Sequence, residues 1–227
     1  MIGILFSGGK DSVFTLHYFL EQGWDVKCLI SLKSKNEFSW MFHTPAIEMV
    51  SLQANAIGLP ILIGETLGEK ESELFDLKKT LAMAKAKFEI TGVAVGALLS
   101  DYQQERVNRV CHSLGLRCFA PLWHKSQEKL LGEMISLGFD VRIVAIAAQG
   151  LSKDLLGERV DEKTLAYFSS LNARHGFHVG GEGGEYESLV VDAPFFKKRL
   201  VLDKTNVVSE KEHEGRLEIV RAHLEEK

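Results

Sequence analysis

The chain opens with a short continuous apolar run, Ile2–Phe6, that stops at Ser-Gly-Gly. A run of this length bounded by turn residues predicts a buried strand. From Asp11 to Gln22 the spacing changes: Val13, Leu16 and Leu20 share one face and Gly23 follows, which predicts a helix. Asp25–Ser31 reads as a second strand. Pro45–Ile57 reads as a helix opened by Thr44 as N-cap with Pro45 at its first position, and closed by Gly58. Pro60–Ile63 is a short third strand, Lys70–Glu89 a charged amphipathic helix, Gly92–Leu98 a further buried strand, and Tyr102–Leu114 a helix ending at Gly115. The charge run Glu69–Lys87 fits a solvated helix face.

Strand and helix alternate through this first half, so the expected architecture is a parallel sheet covered on both faces. After Pro121 the rhythm changes. Ser126–Leu137 and Asp161–His175 read as helices with the strand Asp140–Ala147 between them, followed by the glycine-rich, acidic segment HVGGEGGEYESLVVDAPFF. Lys197–Val208 and Arg216–Leu224 alternate apolar and polar residues, as half-exposed antiparallel strands do. The expectation is an α/β fold, with a Rossmann-like parallel-sheet domain over residues 1–125 and a smaller α+β domain over residues 126–227. No linker rich in Pro or Ser separates them, so they should share a cleft.

Composition narrows this picture. In 227 residues, 45% are hydrophobic and 26% charged, an ordinary balance for a folded core. A net charge of −4 argues against a general nucleic-acid binder, so no stable nucleic-acid partner is expected. Three cysteines, Cys28, Cys111 and Cys118, show no CxxC spacing and support neither a disulfide framework nor a zinc knuckle. No apolar run reaches the ~18 residues of a membrane span, and the N-terminus lacks the pattern of a signal peptide, so a cytoplasmic location is expected. A symmetric homodimer is the expected assembly, as the commonest one.

The stretch that carries chemistry is SGGKDS, Ser7–Ser12, at the junction of the first strand and first helix. Such a junction presents unsatisfied N–H groups and the positive end of the helix dipole. Gly8 and Gly9 let the backbone approach an anion, Lys10 adds a positive charge, and Ser7 and Ser12 offer hydroxyl donors. The dipole supplies only about 0.3–1 kcal/mol, up to ~2 when partly buried, so the backbone cradle and the lysine must carry most of the affinity. The loop is not a Walker loop: Ile4 stands where its first glycine belongs and Asp11 replaces its Ser/Thr.

SGGKDS resembles the pyrophosphate loop of the ATP pyrophosphatases. The resemblance implies an adenine-nucleotide α-hydrolase-like fold and cleavage of ATP to AMP and pyrophosphate. Ser7, Gly8, Gly9 and Ser12 would hold the leaving pyrophosphate, Lys10 would offset its charge, and Asp11 would meet Mg2+ or fix the loop. Lys10 and Asp11 are thereby the catalytic candidates. Three further stretches, GALLSDYQQERVNRVC (96–111), GLRCFAPLWHKSQEKLLGEMI (115–135) and GEGGEYESLVVDAPFF (181–196), together with the loop resemble the diphthine–ammonia ligase (diphthamide synthase) family in an archaeal-length form. This implies ATP-dependent amidation of the diphthine carboxylate on translation elongation factor 2, with ammonium as the nitrogen source, through an acyl-adenylate. Two alternatives stand beside it: a tRNA-modifying adenylating enzyme built on the same loop, and a non-catalytic nucleotide-binding protein. An acidic pI near 6.1 and the lack of a cysteine pair weigh against the first.

Glu182, Gly183, Gly184, Glu185, Tyr186 and Glu187 are the expected substrate-binding stretch. In an extended segment Glu185 and Glu187 would share a face while Tyr186 points away. Carboxylates and aromatic rings suit the trimethylammonium group of diphthine. Asp101, Tyr102 and Gln104 begin a helix at the sheet's C-terminal edge, where open α/β folds bind ligands. For them, substrate contact and simple N-capping are both open. Trp123 and Gln127 could line the cleft, with a core position the stronger reading for Trp123, and His175 and His178 fit ordinary packing.

Overall fold

The computed structural model of the chain describes residues 1–34, 47–69, 72–96 and 101–227, and the side chains of all these except 101–104 and 210. Five parallel strands form the first sheet: β1 (Ile2–Leu5), β2 (Val26–Ser34), β3 (Ile61–Thr66), β4 (Gly92–Ala94) and β5 (Arg117–Phe119). Their order is β3-β2-β1-β4-β5. The chain moves outward from β1 through α1 (Lys10–Glu21) and α2 (Val50–Ile57), then returns through α3 (Ser72–Phe88) to the other side of β1, where α4 (Asp101–Ser113) links β4 to β5. This reversal opens a crevice at the C-terminal end of β1, the place where such sheets bind ligands.

Both faces of the sheet are covered, which is why its strands read as apolar runs without clean alternation. Ile2, Ile4 and Phe6 pack with Val13, Phe14 and Leu16 of α1 on one face. Cys28, Ile30 and Leu32 pack with Leu77 and Leu81 of α3 and Val107 and Val110 of α4 on the other.

The second sheet is antiparallel, with order β7-β6-β9-β8: β6 (Asp140–Ala147), β7 (Tyr186–Asp192), β8 (Lys198–Lys211) and β9 (Glu214–Glu226). It carries α5 (Gln127–Ser136) and α6 (Glu162–His175). Each helix starts at a side-chain cap: Ser126 Oγ accepts from Lys129 N at 3.4 Å, and Asp161 Oδ1 accepts from Thr164 N at 2.8 Å. The two sheets are not packed separately. One continuous core runs from Ile4 and Phe14 through Phe139 and Val141 to Tyr186 and Val190. Helix α1 lies between β1 and β7, so its buried residues wrap around it instead of forming one stripe.

The sequence reading differs from the structure in four places. β5 was not expected, because three residues carry no readable period; it exists through its pairing with β4. β7 lies inside the glycine-rich acidic segment, whose turn residues masked it. The helix expected from Pro45 begins at Val50, after a single 3-10 turn at Ile47–Met49, while Thr44 and Pro45 lie outside the described residues. Of the strand expected over 92–98, Gly92–Ala94 form β4, Val95 N still donates to Phe119 O at 2.9 Å, and residues 97 and 98 lie outside the described residues.

Candidate functional site

The loop Ser7–Ser12 hangs at the C-terminal end of β1 and is built before any ligand arrives. The Ser7 hydroxyl donates to Ser12 Oγ at 3.2 Å, and the Ser12 hydroxyl donates to Gly9 O at 3.0 Å. Ser7 N donates to Ser12 Oγ at 3.3 Å, closing the turn. Gly8 has φ +79°, a left-handed backbone that only glycine adopts without strain. Gly9 is extended, and glycine suits it for a different reason: a Cβ would stand 3.1 Å from the carbonyl oxygen of Ser188, tighter than an ordinary contact. Gly96, just past β4, approaches the start of α1 so closely that a Cβ would lie 2.8 Å from the Asp11 carbonyl carbon. The loop is thus shaped by neighbours on both sides.

Strand β7 presses on this loop from the second sheet. Val190 N donates to Gly8 O at 3.0 Å. Gln53, fully buried on α2, donates from Nε2 to both Gly8 O and Val190 O, each at 2.8 Å. Sequence reasoning passed over Gln53, although a signal was present: it is a polar residue on the face that Val50, Ala54 and Ile57 bury. Lys10 N donates to Ser188 Oγ at 3.2 Å, so the first amide of α1 is capped by a residue of β7.

The Lys10 side chain is 7% exposed and crosses to the second sheet. Its Nζ donates to Asp11 Oδ2 at 2.8 Å and to Gly180 O at 2.5 Å, and lies 5.3 Å from the centroid of the Tyr186 ring. Burial alone would lower its pKa, but the Asp11 carboxylate, helped by Glu187, holds it above the ordinary lysine value. The lysine is charged. Tyr186 donates its hydroxyl to Val179 O at 2.9 Å, and burial pushes its pKa up to about 12, so it is neutral. Glu187 has its pKa pushed up to about 7, chiefly by burial, with Lys10 opposing and Asp11 and Glu182 adding to the rise. A carboxyl that titrates near neutrality in a cleft is the kind of group found at functional sites.

The acidic turn before β7 divides into two roles. Glu185 is occupied internally: Oε1 accepts from His178 N at 3.2 Å and Oε2 from Gly183 N at 2.8 Å. It braces the turn. Gln127 braces the same turn, accepting from Gly180 N at 2.7 Å and meeting His178 Nε2 at 3.1 Å. Gly184, at φ +83°, sits at the tip. Glu182, Tyr186 and Glu187 instead line the cleft, the Tyr186 ring with its back packed on Phe168 and Phe177.

These elements enclose a cleft of about 260 Å³. Ser7, Gly9, Lys10, Asp11 and Ser12 form its floor, and Ile30, Leu32, Ile47, Val95 and Val107 give one apolar wall. Gly180, Gly181, Glu182, Tyr186, Glu187 and Ser188 form the opposite wall. Gly8, Gly183, Gly184 and Glu185 shape the walls without lining the space. The side chains of Asp101, Tyr102 and Gln104 lie outside the described residues. Trp123 is half-buried against His124. The structure also brings together two cysteines that spacing had kept apart: Cys111 on α4 and Cys118 on β5 lie near enough that each perturbs the other's thiol, Cys111 being pushed up and Cys118 down. Neither lines the cleft.

Comparisons with known proteins give the chain a family. The family model described as diphthamide synthase N-terminal domain matches residues 1–118, and that described as diphthamide synthase C-terminal domain matches residues 126–224. The diphthine–ammonia ligase of Homo sapiens is 37% identical over 226 residues, covering 91% of this chain and 84% of that protein. The Bos taurus ligase is 35% identical over 249 residues (100% and 93% coverage), and the Danio rerio ligase 36% over 245 residues (98% and 96%). This chain belongs to the diphthamide synthase family.

Proposed function

We propose that this chain is an ATP-dependent ligase that amidates the carboxylate of diphthine, carried on translation elongation factor 2, with ammonium, releasing AMP and pyrophosphate. The observation that carries the reading is the cleft itself. A preformed glycine-lysine loop at the N-terminus of α1 faces carboxylates and an aromatic ring from the second sheet.

The residues fit ATP. Gly8 and Gly9 leave room for phosphate oxygens against backbone N–H groups. Lys10 is held charged beside them, and the apolar wall from Ile30 to Val107 suits an adenine ring. Bound ATP supplies activation: it turns a carboxylate oxygen, a poor leaving group, into part of AMP, so that ammonia can displace it from the acyl carbon. Lys10 offsets the charge that builds on pyrophosphate as it leaves. Among the described residues no three His, Cys, Asp or Glu side chains form a metal cage. Mg2+ usually takes one or two carboxylates plus substrate phosphates, and Asp11 would be the carboxylate supplied here.

The proposal assigns nucleotide binding to residues 1–125 and substrate recognition to residues 126–227. Glu182 and Glu187 face the space where the trimethylammonium group of diphthine would enter, and Glu185 and Gln127 hold that wall in place. No helix of the described residues is long and apolar enough to cross a membrane; a cytoplasmic homodimer belongs to the same proposal.

The Glu187 carboxyl sets an expected pH dependence. Below about pH 7 it is protonated and above about pH 7 it is anionic, so KM for the modified factor should fall as pH rises from 6 to 8. In Glu187→Gln this slope should vanish while KM for ATP stays unchanged. Equal slopes in both proteins would remove Glu187 from cation recognition.

The decisive assay combines the chain, ATP, ammonium and elongation factor carrying diphthine. Amide product with stoichiometric AMP and pyrophosphate is the expected result. ADP as product, or ATP binding without pyrophosphate release, would overturn the reading. Turnover on tRNA in place of the factor would do the same.

A further inference from the structure

The hydroxyl protons of the loop are already committed. Ser7 donates to Ser12, and Ser12 donates to Gly9 O. In this arrangement neither serine has a proton left for an anion in the cleft. Ser188 is different. It is 6% exposed, lines the cleft, and comes from β7 of the second sheet. Its oxygen accepts from Lys10 N at 3.2 Å, and among the described residues its own proton meets no acceptor. An accepted bond fixes the hydroxyl in place and leaves one donor to give. That donor stands at the N-terminus of a twelve-residue helix and beside a buried lysine.

We propose that Ser188 is a direct ligand of the pyrophosphate that leaves ATP, donating from Oγ, so that the anion site is assembled jointly by the two sheets. The inference rests on the ATP-cleaving reading above. Gln53 acts as the positioning residue of this arrangement. Its two 2.8 Å bonds to Gly8 O and Val190 O hold the loop and β7 in register, two residues from Ser188. Tyr186 and Glu187 immediately precede Ser188 on the same strand. An anion bound at Ser188 would therefore rest on the same strand that presents the substrate-facing groups.

The test is direct binding, without turnover, of inorganic pyrophosphate and of AMP to the full chain by titration calorimetry. In Ser188→Ala the affinity for pyrophosphate should fall about tenfold or more, the effect of losing one hydrogen bond to a charged group. AMP should bind as in the wild type, which also reports that the variant is folded. Ser188→Thr, which keeps the hydroxyl, should recover most of the pyrophosphate affinity. Unchanged pyrophosphate binding in Ser188→Ala overturns the assignment, as does an equal loss of both ligands, which would mark a distorted loop. A wild-type chain that binds neither ligand overturns the ligase reading and the assignment together.

Discussion

Replacing Lys10 by methionine should lower kcat for AMP formation by about 10²–10³-fold, the usual effect of removing one preorganised electrostatic group from a site of developing charge. The lysine is the only residue of the loop that combines a full positive charge with contacts to the second half of the chain. Nζ reaches Asp11, Gly180 O and the Tyr186 ring. Methionine keeps much of the side-chain volume, so the packing against Tyr186 survives and the variant should fold. What it loses is the charge that opposes the departing pyrophosphate and the partner that neutralises Asp11. The Glu187 carboxyl should also respond. Lys10 is the one neighbour that lowers its pKa, so the acid limb of the pH profile should move upward in the variant. KM for the modified factor at high pH, where Glu187 is ionised in both proteins, should change little. Steady-state kinetics from pH 6 to 9 would check both effects, and a kcat within fivefold of wild type would contradict the role given to Lys10.

The largest effect on stability should come from Phe139→Ala, at about 3–5 kcal/mol of unfolding free energy. Phe139 has no exposed surface and precedes β6. Its ring meets Phe14 at 5.6 Å and His17 at 5.4 Å, both edge-on from α1, and Phe195 at 6.2 Å from the corner after β7. It therefore joins the helix that carries the loop to the sheet that carries the acidic wall. A cavity here cannot be filled by one element shifting, because elements of both parts of the chain bound it. Against a typical total of 5–15 kcal/mol, such a loss is a large share. Denaturant unfolding would measure it. A loss below ~1 kcal/mol would mean that the two sheets are held together elsewhere.

Much of this architecture is legible in the sequence, for local reasons. The strand Asp140–Ala147 and the helices opened by Ser126 and Asp161 were read within a residue of their observed ends, because alternation and caps are local signals. SGGKDS was legible as an anion loop because two glycines, a lysine and two serines at a strand-to-helix junction satisfy local requirements for binding phosphate. The acidic segment was legible as a candidate wall, but its internal division was not. Glu185 and Glu187 look equivalent by spacing. Only the turn geometry makes the first a brace for His178 and Gly183 and leaves the second in the cleft.

What could not be read involves partners distant along the chain. Gln53 and Ser188 are unremarked polar residues until the fold sets one on Gly8 and the other on Lys10 N. Cys111 and Cys118 have no motif spacing, yet α4 and β5 bring their thiols together. The three residues of β5 become a strand only beside β4. By itself the sequence determined the alternating α/β order, the ends of most helices and a loop shaped for an anion, since each depends on neighbours within a few residues. The tertiary structure decided which strand closes that loop and which carboxylate faces it, because a single core packed from both sheets places residues 178 positions apart in hydrogen-bond contact.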